Sequence, residues 1–186
     1  TVPTHAHFEV VKPAVENDVH VFVEKPFMNT LEEALHIRTL ANSHPVKIQI
    51  GHVERFNPVF QRLVELVDWN QLVSVAFTRN IPLRKHIDVD VILAVMVHDL
   101  DLLIKITNTL DTRLDAVQTV ARSGNHPMSP PGKVDSVFSQ FSLKDGTLAT
   151  MAANREGALN ERTIQITEAK RTLTADLLNH EIVISK

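Results

Sequence analysis

The stretch "HVFVEKPFMN", residues 20–29, decides how the rest of the chain is read. Val21, Phe22 and Val23 form an apolar run with no polar face, the pattern of a strand covered on both sides in a parallel sheet. The run ends in a glutamate, a lysine and a proline. Ligands of doubly wound sheets sit outside the carboxyl ends of the strands, so Lys25 stands where a cofactor or substrate would be touched. Taken alone, the three residues are better explained as a solvated strand end. Pro26 fixes the turn, and its bond to Lys25 is one that can be cis.

Working outward, helix and strand alternate through the first quarter of the chain. Thr4 is placed to cap a helix through about Asn17, with Phe8, Val11 and Val15 at helical spacing. Pro13 inside that helix requires a kink or a later start. Val19–Glu24 is the strand. Thr30 and Glu33 form a capping box that opens the next helix, which runs to about Ser43. "VKIQIGHV", residues 46–53, is a second strand. Short connections between these elements predict a parallel sheet.

Beyond residue 53 the texture changes. Asn57 and Pro58 are a helix cap and a first-turn proline, starting a helix to about Val67. A strand over Leu72–Arg79 and a long helix over Val89–Ile106 follow. Strands are then predicted at Leu114–Arg122, Val134–Leu143, Thr147–Asn154, Arg162–Glu168, Thr172–Leu177 and Glu181–Ser185. Lys144, Asp145 and Gly146 make a hairpin turn, and the proline-rich segment 123–133 is a surface loop. The fold class is therefore α/β: a parallel-sheet part over 1–53, then an α+β domain over 54–186 with an open, mainly antiparallel sheet.

Composition narrows the function. The 186 residues are 44% apolar and 22% charged, with a net charge of −3, an ordinary globular balance. No basic block points to nucleic acid or to a membrane surface. The longest apolar run, Val91–Val97, is far shorter than a membrane span. No secretory leader opens "TVPTHAHF". With no cysteine, disulfides and thiolate metal sites are excluded, which fits a cytoplasmic protein. His5 and His7 have the spacing of some zinc sites but lack a third ligand nearby, so no metal is expected.

Two further stretches carry chemistry. In "GHVERFNPVF", residues 51–60, Arg55 lies beside a capped helix start, an arrangement suited to an anion. A surface pair between Arg55 and Glu54 is the plainer alternative. In "DVDVILAVMVHDLDLLIKI", residues 88–106, His98, Asp99 and Asp101 interrupt an otherwise apolar helix, where a lone charge costs several kcal/mol unless paired. His98 and Asp101 share a face. Such a pair serves either as a general base with its carboxylate or as a structural ion pair.

In order and spacing, these stretches resemble the Gfo/Idh/MocA family of oxidoreductases. The likeness extends over "VPTHAHFEVVKPAVENDVHVFVEKP", "GHVERFNPVF", "VDVILAVMVHDLDLL", "VDSVFSQFSLKDGTLATMAANR" and "RTIQITEAKRTLTADLLNHEIVI", nearly the whole chain. It implies that residues 1–53 are the C-terminal part of a Rossmann dinucleotide-binding domain and 54–186 a substrate and oligomerisation domain. It implies NAD or NADP as cofactor and a sugar or nucleotide sugar as substrate, and it is similar in texture to members related to the UDP-N-acetylglucosamine 3-dehydrogenases. Pro3, Thr4, His7, Glu24, Lys25 and Pro26 would lie at the cofactor, and Arg55 and Asn57 at the substrate. Lys25, His98 and Asp101 would be catalytic, with His98 taking the hydroxyl proton while Lys25 steadies the alkoxide. A homodimer or homotetramer through the sheet is also implied.

Two departures stand out. The family often has an aspartate four residues before the histidine, where this chain has Ala94. No G-x-G-x-x-G occurs among its five glycines, so the resemblance places the pyrophosphate-binding turn before Thr1 and further helices after Lys186. Ala94 favours an alternative in which the fold is kept without turnover, as a ligand sensor or assembly protein like the galactose-gene corepressors of yeast. A biliverdin-reductase-like activity is a further enzymatic option.

Overall fold

The computed structural model describes residues 2–82, 89–124 and 131–186, in two compact units, Thr1–His52 and Val53–Lys186. The first unit pairs two short strands, β1 (Val21–Val23) and β2 (Ile48–Ile50), in parallel, with Val21 opposite Ile48 and Val23 opposite Ile50. The crossover between them is α2 (Leu31–Ala41). Its predicted capping box is present: the Thr30 hydroxyl accepts from the Glu33 amide, and the Glu33 carboxylate accepts from the Thr30 amide. Val11, Val15, Val23, Met28 and Ile37 form the core of this unit.

Two expectations are corrected here. The first helix, α1, spans His7–Glu16, and Thr4 lies in a 3-10 turn ahead of it rather than capping it. Pro13 stays inside α1. Phe22, read as covered on both faces of its strand, is 66% exposed.

The second unit is a seven-stranded sheet in the order β4-β5-β6-β3-β7-β8-β9. The strands are β3 (Leu72–Asn80), β4 (Leu114–Ser123), β5 (Val134–Leu143), β6 (Leu148–Asn154), β7 (Glu161–Glu168), β8 (Arg171–Asp176) and β9 (Glu181–Ser185). All neighbours are antiparallel except β3 and β6. Gly146 closes the β5–β6 hairpin at φ 90°, a backbone region that glycine enters without strain. The proline-rich loop predicted over 123–133 lies largely outside the described residues.

Period-two alternation sends Val75, Phe77, Met151, Ile164 and Ile166 to one face of the sheet. There they join Leu63 of α3 (Pro58–Leu66) and Leu102 and Ile106 of α4 (Val97–Thr109) in one core. The opposite face is open and carries mainly Ser, Thr, Gln and Ala. The edge strand β4 is exposed along its whole length.

The long helix expected over Val89–Ile106 is built differently. A π turn, Ile92–Met96, precedes α4, and the Val97 amide donates to the Ile92 carbonyl, five residues back. The approach to this turn is pinned by Arg155, which is fully buried. Its Nε pairs with the buried Asp135 and its Nη1 donates to the Val89 carbonyl at 2.7 Å. Gly124 approaches the same carboxylate closely: its amide donates to Asp135 at 2.9 Å, and a Cβ there would lie 2.4 Å from that oxygen.

Replacing Thr30 by alanine removes one arm of the capping box and is expected to lower stability by about 1 kcal/mol. Thr30→Ser should keep most of it. The midpoint of urea unfolding distinguishes the two.

Candidate functional site

In the first unit the site is the turn that follows β1. The Lys25–Pro26 bond is cis, as the sequence allowed. His7, on the first turn of α1, is buried beneath it. Its Nδ1 donates to the carbonyls of Pro26 at 3.1 Å and Phe27 at 3.2 Å. A carbonyl only accepts, so the proton sits on Nδ1 and the ring fixes the path of the chain just past Lys25. Gly51, at the carboxyl end of β2, completes this end of the sheet. A Cβ there would stand 3.0 Å from the Glu24 carboxylate, so glycine makes room for that side chain. Pro3 is exposed, and its carbonyl accepts from Ala6 in the 3-10 turn that holds Thr4.

The hollow beside β1, lined by Val2, Val10, Val11 and the strand residues Val21–Val23 together with His7 and Glu24, measures about 280 Å³. That is below the range of pockets that enclose a ligand of cofactor size.

In the second unit a buried ion network carries the remaining candidates. Its centre is Arg79, on the core-facing register of β3 with Val75 and Phe77. Arg79 reaches Asp99 through three hydrogen bonds of 2.7–3.0 Å and Glu54 through one of 2.9 Å. Arg162 adds a second contact to Glu54 at 3.3 Å. Burial would lower the Arg79 pKa, but the two carboxylates hold it above its ordinary value. Burial would likewise raise Glu54. The charge and hydrogen bond of Arg79, the Asn57 amide and the charge of His98 together hold it below the usual carboxylate range. Asp99 is pushed up by burial despite Arg79.

A second bridge runs alongside. Arg55 donates Nε and Nη2 to the two oxygens of Asp101, both at 2.6 Å, in a fork geometry. Arg55 is half exposed and Asp101 buried. Glu54 pairs with Arg79 and not with Arg55, which corrects the plainer expectation for that pair, and Asp101 holds Arg55 in a bridge between elements. Asn57 caps α3 through the Val59 amide, and its side-chain amide also donates to Glu54 and to the Leu177 carbonyl. Those bonds commit it to the protein's own groups. His98 is half buried on the first turn of α4, directly before Asp99.

Sequence reasoning missed Arg79, Arg155 and Asp135. Each carries a signal that alternation would have given, since each is a charge on the register of a strand's apolar face. Among the described residues no group of side chains suits a metal ion, and no helix is long and apolar enough to cross a membrane.

Comparison with known proteins gives a consistent result. Residues 1–52 match the profile of the Gfo/Idh/MocA oxidoreductase family, described by its NAD-binding Rossmann fold. A UDP-N-acetylglucosamine 3-dehydrogenase from Acidithiobacillus ferrooxidans is 30% identical over 183 residues, covering 98% of this chain and 56% of that protein. A scyllo-inositol 2-dehydrogenase (NAD(+)) from Bacillus subtilis is 25% identical over 163 residues, 82% of this chain and 46% of that one. The chain thus spans about half the length of these curated relatives. Among solved structures, the Acidithiobacillus ferrooxidans enzyme superposes with a TM-score of 0.83 at 29% identity, over 99% of this chain and 58% of its own. A levoglucosan dehydrogenase in complex with NADH has a TM-score of 0.84 at 17% identity, over 99% and 55%, a likeness of fold.

Replacing Arg79 by methionine leaves two buried carboxylates without their partner and is expected to cost about 3–5 kcal/mol of stability. Arg62→Ala, which breaks an exposed pair with Glu65, should cost under about 1 kcal/mol. Glu54 titrates lower folded than unfolded, so its contribution is complete above the ordinary glutamate pKa and fades as pH falls through the folded value. The deficit of Glu54→Gln against the parent, measured by urea unfolding across pH, should therefore be full at pH 7 and shrink in acid.

Proposed function

Because this chain belongs to the Gfo/Idh/MocA oxidoreductase family, we propose that the protein is an NAD(P)-dependent oxidoreductase acting on a hydroxyl-bearing carbon of a sugar or nucleotide sugar. The observation that carries this reading is the fixed turn at Glu24-Lys25-Pro26, at the carboxyl ends of two parallel strands in a segment matching an NAD-binding Rossmann fold. The 30% identity to a UDP-N-acetylglucosamine 3-dehydrogenase favours a nucleotide sugar within that class. Reducing or oxidised nicotinamide supplies or accepts the hydride when bound.

The residues present fit one end of such a cofactor. Pro3, Thr4, Glu24, Lys25 and Pro26 would lie at the nicotinamide end, and His7 holds the turn that carries Lys25. At Gly51 the space a side chain would fill is taken by the Glu24 carboxylate, so that glycine is no phosphate cradle. In this reading the ammonium of Lys25 stabilises the alkoxide that develops as the carbon changes oxidation state. His98 takes the hydroxyl proton in oxidation and returns it in reduction. Asp101 acts through Arg55, holding its guanidinium in one orientation toward the substrate, and Asn57 fixes the turn that carries Arg55.

We further propose a cytoplasmic homodimer or homotetramer formed through the open face of the sheet. Val120 and Phe138 are cross-strand neighbours on that face, 76% and 62% exposed. Ala94 is the one observation favouring the second reading, a family member that binds ligand without turnover.

Calorimetric titration of NADH and NADPH into the complete protein tests the first reading: saturable micromolar binding of one of them is expected, and none would sink it. With a nucleotide-sugar substrate, His98→Ala should reduce turnover about 10²–10⁴-fold. Binding with no turnover on any sugar tried, unchanged by His98→Ala, would establish the sensor reading instead. Phe138→Asp should shift the oligomer toward monomer in light scattering, without loss of helix or strand signal.

A further inference from the structure

Two buried arginines hold the segment that carries His98, one on each side of the π turn. Upstream, Arg155 donates to the Val89 carbonyl at 2.7 Å. Asp90 fixes the turn that follows, its carboxylate accepting from the Leu93 amide and its carbonyl from the Ala94 amide. Downstream, Arg79 reaches both oxygens of Asp99. From this arrangement we infer that the π turn is what directs His98: it gives the core-facing position to Asp99 and leaves the histidine on the flank of the helix. Asp99 is then a positioning residue for His98, and the inference rests on the reading of His98 as the general base.

Helix geometry gives the direction of each side chain. Val91 and Asp99 both face the core, at 0% and 3% exposed. An uninterrupted α-helix would set these two positions about 80° apart around its axis. In that helix His98, not Asp99, would stand in line with Val91 to within about 20°. The π turn closes on a bond five residues back instead of four, and so takes up about one residue of rotation. Asp99 thereby moves into the line of Val91, with His98 about 100° round from it. The rest of α4 agrees, since Leu102, Leu103 and Ile106 are buried on the side of Asp99 while His98 is half buried.

A π turn is rare and lasts where its surroundings hold it. The ties at Val89 and Asp99 do so, because a plain α-helix of the same length cannot keep both. An apolar side chain at position 99 would tolerate either register. A carboxylate answering a buried guanidinium does not, since a turn of the helix would leave that charge unpaired.

The test is the rate at which diethyl pyrocarbonate modifies His98 in the complete protein, followed by peptide mass spectrometry. Deletion of Ala94 removes the extra residue and lets a plain α-helix join the same two ties, so the His98 rate should stay within about two-fold of the parent's. Deletion of Lys105, beyond both ties, turns Ile106 out of line and should lower the unfolding midpoint far more. Asp99→Ala leaves Arg79 its bond to Glu54 but releases residue 99. The π turn can then close, His98 turns toward the sheet, and its labelling should fall about ten-fold or more, whereas loss of fold would raise it. Asp99→Asn, which still accepts from Arg79, should keep the parent rate. In turnover, Asp99→Ala should lower kcat about 10²-fold with the cofactor KM unchanged, and Asp99→Asn should recover most of it. A His98 rate unchanged in Asp99→Ala overturns the inference, as does a deletion of Ala94 that costs as much stability as that of Lys105. If neither deletion variant folds, the Asp99 variants decide. Failure of the oxidoreductase reading would appear separately, as absent cofactor binding with the labelling pattern intact.

Discussion

A guanidinium shut away from water has to find its counter-charges inside the protein, and Arg79 finds two. Removing such a group from solvent costs several kcal/mol, recovered only when its hydrogen bonds are all well directed. Meeting that condition fixes three elements at once: the central strand β3, the turn at residues 53–56 and the first turn of α4. Apolar packing alone would let a helix slide or rotate over a sheet at little cost, because many packings of Leu and Val are nearly equivalent. The fork of Arg79 on Asp99 permits only one. His98 and Asp101 inherit their places from it, and the parallel bridge of Arg55 to Asp101 fixes the outer side of the same turn.

Much of the architecture was legible in the sequence because it rests on local rules. The capping box at Thr30, the Asn57–Pro58 helix start and the Gly146 turn are each set by a few adjacent residues. The strands of the large sheet are set by alternation. The order of those strands was not legible, since β3 lies between β6 and β7 through pairings 74 to 96 residues apart in sequence. No local pattern encodes that pairing. The π turn escaped for a different reason: "VILAVMV" is apolar at every position, so its sequence has no polar face whose periodicity could reveal a widened turn.

The candidate site was legible as a list of residues and not as a set of partners. Lys25, Arg55, His98 and Asp101 were all marked by charge in apolar surroundings. Proximity in sequence then suggested Glu54 with Arg55, whereas the structure joins Glu54 to Arg79 and Arg55 to Asp101. The π turn also changes how Ala94 is to be weighed. Counting four residues back from His98 finds the facing position only in an uninterrupted α-helix, and here a bond spanning five residues precedes α4.

The position of β3 has a further consequence for how the second unit comes to exist. A ribosome releases β3 long before either β6 or β7, so both its edges and the charge of Arg79 must wait in solvent until Glu168 has emerged. Of the helices that cover its apolar face, α3 is made before it and α4 in that interval, with no finished sheet to receive either. Closing so long a loop precedes any gain from the contacts it brings, which is the topological condition for slow folding. A nascent chain halted near Ser123 would hold α3, β3, α4 and β4 with β3 unpaired at both edges, a species suited to capture by a chaperone or by a second chain.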